Sequence, residues 1–341
     1  MFSNALWYSL GLGAVLFLSS CTHVEHYHLA TMVEPRVETP PVPSRDDAAD
    51  DPAIWVAPNV ADSLVIGTDK GSGLLVYSLT GEQLQYLPVG ELNNVDIRQK
   101  PWDDDRLSLL VATQRNPSKL VLFSLDHETR MVELQRVLDT ELETPYGVCM
   151  YQHNDQPYLI ANDKNGQFVQ YVIGQDFELE PVRRWQVASQ PEGCVADDRR
   201  HQLYVGEEAV GVWRLDARPD VAAELTSVAR VGDGVLVADV EGMALFLGDE
   251  TTYLVVSSQG DNSFAVYDVA TDEHVFSFHV ADSDVIDGAS ETDGLDVTSV
   301  ELPGFPGGLL VVQDGYNLNP AEKQNFKMVA WKDVLDAIAR D

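Results

Sequence analysis

Asp50-Asp51-Pro52-Ala53-Ile54-Trp55 places an acidic pair directly ahead of a short apolar run, and the arrangement returns five more times along the chain. The copies are Asn93-Asn94-Val95-Asp96-Ile97, Pro145-Tyr146-Gly147-Val148, Pro191-Glu192-Gly193-Cys194, Val240-Glu241-Gly242-Met243 and Thr292-Asp293-Gly294-Leu295. After each comes an apolar strand that ends in an acid or amide: Leu64 to Asp69, Leu109 to Gln114, Tyr158 to Asp163, Leu203 to Glu208, Tyr253 to Gln259 and Leu309 to Asp314. A third, alternating strand carries a central aromatic, around Tyr77, Phe123, Tyr171, Trp213, Tyr267 and Trp331. The alternation in Gly73-Leu74-Leu75-Val76-Tyr77-Ser78-Leu79 has the two-residue period of a strand.

With Pro52, Val95, Gly147, Gly193, Gly242 and Gly294 as markers, the repeat spacing runs from 43 to 52 residues. One four-stranded propeller blade needs roughly 40–50 residues. The expected fold is therefore all-β: a six-bladed β-propeller with four-stranded antiparallel blades, spanning residues 48–341. A solenoid of the same period is the alternative architecture, but a ring also removes the large exposed edges of a flat sheet. Only Asp333 to Arg340 reads as a helix.

Ahead of the repeat, residues 1–20 carry no charge and hold an apolar run too short for a transmembrane helix. Leu18-Ser19-Ser20-Cys21 follows and resembles a bacterial lipobox, although the leader lacks the usual Lys or Arg. The expectation is a lipoprotein signal peptide over 1–20, lipidation at Cys21, and a Pro-, Glu- and Thr-rich tether over 21–47. Thr22 is not the aspartate that retains lipoproteins in the inner membrane, which points to an outer-membrane lipoprotein. The two remaining cysteines, Cys149 and Cys194, lie in apolar strand-like runs. We expect two buried thiols there, a disulfide being the alternative outside the cytoplasm.

The chain has 55 acids against 22 bases, a net charge of −33. That field repels nucleic acid and bare anionic membrane, so the lipid is the only membrane contact expected. Solubility explains acids scattered over a surface; cation binding requires them clustered. In a propeller the innermost strand of a blade and the next one form a hairpin, so the start of one and the end of the other share a face. Asp50, Asp51, Glu192, Glu241 and Asp293 stand at strand starts, and Asp69, Asp163, Glu208 and Asp314 at strand ends. At least nine carboxylates are thus expected around one mouth of the channel. So many like charges either take up protons or hold hard cations. Calcium, with six to eight oxygen ligands in flexible geometry, suits them better than magnesium, and zinc ligands are missing in the right spacing. Lys70, Arg115 and Lys164 follow the second strand in three successive repeats, which suits a bound polyanion.

These stretches resemble the β-propeller, or alkaline, phytases. The resemblance runs from about Glu38 to the last helix. It is carried by DDPAIWV from Asp50, LNNVDIR from Leu92, ADD and LYVGEE between Ala196 and Glu208, SSQGDNSFAVYD from Ser257, SETDGLDV from Ser290 and QNFKMVAW from Gln324. It implies a six-bladed propeller holding several calcium ions, most simply a monomer, that removes phosphate from phytate, myo-inositol hexakisphosphate. Calcium ligands are implied at Glu38, Asp50, Asp51, Tyr146, Glu192, Glu208, Glu241, Gln259, Asp287, Asp293 and Asp314, and substrate contacts at Lys70, Arg115, Tyr146 and Lys164. The implied reaction is direct in-line attack by a calcium-activated water, positioned by Glu192, Glu208 and Asp293, with Lys70, Arg115 and Lys164 offsetting charge on the phosphoryl oxygens. Two positions depart from the family pattern. Gly71 stands where many members have a second lysine, so a weaker second phosphate pocket is expected, and Glu143 stands where some have an asparagine.

Other phosphatase chemistries fit poorly. The chain has no Arg-His-Gly. Cys194 and Arg200 have the spacing of a cysteine phosphatase, but Asp197 and Asp198 would lie inside its phosphate cradle. A propeller hydrolase of another ester or a lactone, and a non-catalytic lipoprotein scaffold, are the remaining alternatives.

Overall fold

In the computed structural model, residues 31–340 are described. They form six sheets, one per repeat. Blade one consists of Ala49–Trp55, Leu64–Asp69, Gly73–Ser78 and Gln83–Leu87, paired in chain order and antiparallel. Blades two to five start with the inner strands Leu92–Gln99, Pro145–His153, Pro191–Asp197 and Val240–Leu247, and each has four consecutive strands. Blade six takes three strands, Leu295–Thr298, Leu309–Asp314 and Asn325–Ala330, from the end of the chain. Val37–Glu38 adds its outer strand, antiparallel, with Glu38 opposite Lys327. Thr31–Val33 lies parallel on the outer edge of blade five.

That pairing revises the tether. From residue 31 onward the segment is docked on blades five and six. Backbone hydrogen bonds to neighbouring strands are worth more than freedom once the segment lies along an otherwise open edge. The signal peptide and Cys21 lie outside the described residues.

The core is divided among the blade interfaces. Successive residues of a strand face opposite sides of its sheet. In blade one, Ile66 and Val76 therefore join Leu110 and Phe123 of blade two. Val65, Leu75 and Tyr77 join Val311, Phe326 and Met328 of blade six. Six clusters of this kind fill the six interfaces. Both faces of every sheet are apolar, which is why the strands read as near-continuous hydrophobic runs. Trp331 is a correction to the aromatic series. It opens the helix Trp331–Ile338, and Trp331, Val334 and Ala337 form that helix's buried face.

The innermost strands carry N–H groups that no sheet neighbour can take. Aspartates of adjacent blades accept them. The Ile54, Val95, Met150 and Gln152 amides donate to Asp296, Asp51, Asp96 and Asp198 at 2.7, 3.0, 2.7 and 2.9 Å. Arg98 lies across this channel, donating to Asp198 and Asp96 at 3.0 Å and to the Met150 carbonyl at 2.6 Å. The bond between Ile54 and Asp296 joins blade one to blade six and so closes the ring.

Cys149 and Cys194 are a disulfide, not two thiols. Strand apolarity could not reveal this, because both residues are buried either way. What decides it is that they face each other from the inner strands of blades three and four, with Cα atoms 5.7 Å apart, within bridging reach. The bridge closes a sequence separation of 45 residues. Replacing both cysteines by serine should lower stability by about 2–4 kcal/mol. Denaturant unfolding of the double variant measures this, and an unchanged midpoint would show the bridge to be thermodynamically idle.

Candidate active site

Strand pairing at the channel mouth is mismatched in the same way in five blades. Ala49 faces Asp69 and Pro52 faces Gly67, so three steps on the inner strand match two on its neighbour. The shift recurs at Leu92/Val95, Pro145/Val148, Pro191/Cys194 and Val240/Met243. A bulge of this kind leaves a residue out of the ladder and re-aims its side chain. The residues it releases are Asp50, Asn93, Tyr146, Glu192 and Glu241. In blade six, Asp293 just precedes the inner strand, and its amide donates to the Gln313 side chain at 2.9 Å. The following position is glycine in four blades because inner strands crowd there. A Cβ on Gly242 would stand 2.6 Å from the Asp293 carbonyl oxygen.

A second tier lies one residue past the end of the neighbouring strand. Lys70, Arg115, Glu208 and Gln259 each donate their amide to the residue two before the bulge, namely Ala48, Glu91, Gln190 and Asp239. Lys164 follows Asp163 in the same register. Bases thus occupy blades one to three, and Glu208 and Gln259 occupy blades four and five.

This corrects part of the expected convergence. Asp69, Asp163 and Glu207 end their strands, and alternation turns them away from the second tier. Asp69 accepts from Ser44, Gly71 and Ser72, and Asp163 accepts from Asn165 and Gln167. Both brace turns.

The remaining acids crowd together. Ligand oxygens of Glu192, Glu208 and Glu241 all lie within 4.8 Å of one another. Lys70 Nζ reaches Asp293 at 2.5 Å, Asp47 at 2.7 Å and Asp50 at 3.3 Å. Gln259 donates to Asp293 at 2.5 Å, and Asn93 to Glu192 at 2.9 Å. Lys164 Nζ stands 3.9 Å above the Tyr146 ring. Arg115 is exposed. Asp51, though in the bulge pair, turns down the channel to Val95.

Burial pushes the Glu208 carboxyl up to about 7, against a hydrogen bond from Gln190, with Glu192 adding to the rise. Burial raises Asp293 to about 6 despite Lys70. Asp50, Asp51 and Glu241 are held well above the carboxylate range, first by burial, then by neighbouring charges. Burial pulls the Lys70 ammonium down, but Asp50, Asp293 and Glu192 hold it above its ordinary value. The Tyr146 hydroxyl is also raised, by burial and then Glu192.

Oδ2 of Asp50 and Oε2 of Glu241 are buried and accept no hydrogen bond, and Oδ1 of Asp50 has only the Lys70 ammonium at 3.3 Å. Orphaned carboxylate oxygens in an oxygen-only donor set fit a hard cation such as calcium. Asp50, Glu192, Glu208, Glu241 and Asp293 would hold it, with Tyr146 and Gln259 beside them.

Glu38, Asp287 and Asp314 gather elsewhere. They surround the buried ammonium of Lys327 at 2.6, 2.6 and 3.4 Å. Lys327 went unnoticed in the sequence, although a base inside the apolar alternation of Asn325–Ala330 is a legible signal. Asn93 was equally legible, because it occupies the Asp50 position of the second repeat.

A family model described as Phytase matches residues 4–341. A 3-phytase of Bacillus subtilis (strain 168) is 35% identical, over 98% of this chain and 92% of its own. A crystal structure of the β-propeller domain of Myceliophteria thermophila Cps50 (Swd1) superposes with a TM-score of 0.50 at 10% identity, covering 82% of each chain, a likeness of fold alone. The match that spans nearly every residue, from before the first blade to the closing helix, leaves one assignment: the chain belongs to the phytase family.

Proposed function

We propose that this chain is a calcium-dependent phytase of the 3-phytase type, hydrolysing phytate to lower inositol phosphates and inorganic phosphate. One observation carries the reading. Three carboxylates lie within 4.8 Å of one another at the channel mouth, and Lys70, Arg115 and Lys164 follow the second strands of blades one to three in one register. A scaffold has no use for orphaned acids together with three bases in one register, and a lactone has no polyanionic charge for them to meet.

When bound, calcium supplies Lewis acidity, lowering the pKa of a water and offsetting phosphate charge. The chain supplies orientation. Glu192, Glu208 and Asp293 would position the attacking water; one of them takes the proton that the water loses as its oxygen bonds to phosphorus, and the inositol oxygen that leaves on the opposite side takes up a proton from solvent. Lys70 is fixed by Asp50 and Asp293, so its ammonium is aimed before substrate arrives. Lys70, Arg115 and Lys164 meet the equatorial oxygens as charge spreads over them. No side chain needs to form a covalent phosphoryl bond.

We also propose export and lipidation at Cys21 as an outer-membrane lipoprotein. The lipobox-like Leu18-Ser19-Ser20-Cys21 supports this, as does a disulfide, which persists in oxidising compartments.

Purified protein with calcium should release phosphate from phytate, lose that activity on chelation and regain it when calcium is restored. Full activity after chelation would sink the calcium dependence, and none with calcium would sink the phytase reading. Thermal stability should also depend on pH. Carboxyls raised in the folded state keep protons that the unfolded chain gives up near pH ~4. Stability is therefore complete below that range and is lost as pH rises through about 6 and 7, the values of Asp293 and Glu208. In chelator, the melting temperature should fall as pH is raised across this window. Calcium should remove the fall, so the gap between the two curves widens with pH; a constant gap would count against these acids as its site. In a bacterial host, labelled palmitate should enter the wild-type chain and not Cys21→Ala, and equal labelling would refute the anchor.

A further inference from the structure

Most Lys and Arg side chains of this acidic chain reach a carboxylate, but among the described residues several, Arg45, Arg115, Lys164 and Lys323 included, do not. Arg36, Arg184 and Arg214 each reach a carboxylate within 2.7 Å. Among the described residues, the exposed Arg45 guanidinium makes no hydrogen bond or ion pair, and Lys323 Nζ meets only the Pro43 carbonyl oxygen. Both line the cavity at the channel mouth, about 1150 Å³ in volume, together with Lys70, Glu208, Glu241 and Asp293. Asp46, Asp47 and Glu322 line it too, yet neither base pairs with them.

The segment bearing Arg45 is built in place. Ser44 donates its amide to buried Asp69 at 2.9 Å, and Val42 donates to the Gln324 carbonyl at 2.9 Å. Ala48 donates to the Gln324 side chain at 2.6 Å. The segment passes so close over Gly71 that a Cβ there would stand 2.8 Å from the Ser44 Cβ. A side chain at position 71 would require Ser44 to shift from this path. What the loop takes from position 71 it returns one residue later, as an arginine lining the same cavity.

We propose that Arg45, with Lys323 beside it, is a specificity-determining anchor for a second phosphate group of the substrate, leaving Lys70, Arg115 and Lys164 to the phosphate being transferred. The cavity exceeds the ~300–1,000 Å³ typical of small-molecule sites, so it accommodates far more than one phosphate. A guanidinium meets phosphate with two parallel hydrogen bonds and loses little freedom per bond. The site therefore selects polyphosphorylated over singly phosphorylated esters. This inference rests on the phytase reading above.

The test compares kcat/KM for phytate with that for phenyl phosphate, and measures binding of myo-inositol hexasulfate by calorimetry, all in calcium. Arg45→Ala should lower the phytate-to-phenyl-phosphate ratio roughly tenfold and weaken hexasulfate binding by a similar factor, as expected for a lost charged hydrogen bond. Arg45→Lys should fall between. Arg136→Ala, which removes an equal charge from the outer strand of blade two, should leave the ratio unchanged. A ratio and affinity equal to wild type in Arg45→Ala would overturn the proposal, as would an equal loss in Arg136→Ala, which would mean long-range charge alone. Should the wild type release no phosphate from phytate, the functional reading fails instead, and hexasulfate binding still decides whether Arg45 anchors a polyanion.

Discussion

Everything at the channel mouth depends on a mismatch of one residue in strand pairing. Regular antiparallel pairing would send alternate inner-strand residues into the two neighbouring blade interfaces, where acids would be ruinous. In five blades the bulge frees one residue from that alternation where the six strands come closest, and in blade six Asp293 stands ahead of the inner strand. A fold whose sheets are apolar on both faces thereby obtains six side chains that face one another across a channel. Glycine after the channel-facing residue in four blades is the steric counterpart, since the strands approach too closely there for a Cβ.

Sixfold geometry does not impose sixfold chemistry. The ring positions read Asp50, Asn93, Tyr146, Glu192, Glu241 and Asp293, and the tier above divides into bases on blades one to three and oxygen ligands on blades four and five. Carboxylates this deep are costly as ions, which is why Glu208 and Asp293 rise toward neutrality and Asp50 and Glu241 rise further. Lys70 relieves one side of the ring. Among the described residues no ammonium pairs with Glu192, Glu208 or Glu241, so the demand for a further cation is greatest there. The same polarity gives a phosphate ester one side that attracts its oxygens through bases and another that meets them only through a cation.

The repeat was legible because it lives in local pattern: period-two strands, turn acids and a constant spacing. The ring positions followed from it, since Asp50, Glu192, Glu241 and Asp293 are equivalent in sequence. Less visible was anything set by one residue of register. Glu207 and Glu208 are adjacent acids, yet one accepts from Ser189 and Trp213 while the other joins the cluster. The Cys149–Cys194 bridge and the Arg98 plug depend on which inner strands become neighbours, and no local pattern encodes that. Lys327 was overlooked for a different reason: one base among buried apolar residues has meaning only once Glu38, Asp287 and Asp314 are known to reach it from blade edges distant in sequence.

Ring closure and site construction fall to the same piece of chain. Val37–Glu38 completes blade six, and Glu38 thereby reaches Lys327. A few residues later the segment crosses the mouth, where Ser44 is held by Asp69 and Asp47 accepts from Lys70 at 2.7 Å. It then enters blade one, whose first bulge presents Asp50. A residue of the outer strand, the rim loop and the first ring acid thus lie within a span of 14 positions, from Val37 to Asp50. The strap supplies the strand that blade six would otherwise lack, adding to the Gly294 amide's bond to the Asp50 carbonyl and the Ile54 amide's bond to Asp296 between blades six and one. Here the strap runs over the site, so the path that closes the ring also fixes which side chain can occupy the space above Gly71. Ring closure and the shape of the mouth are in that sense one geometric decision, taken where the segment leaves blade six for blade one.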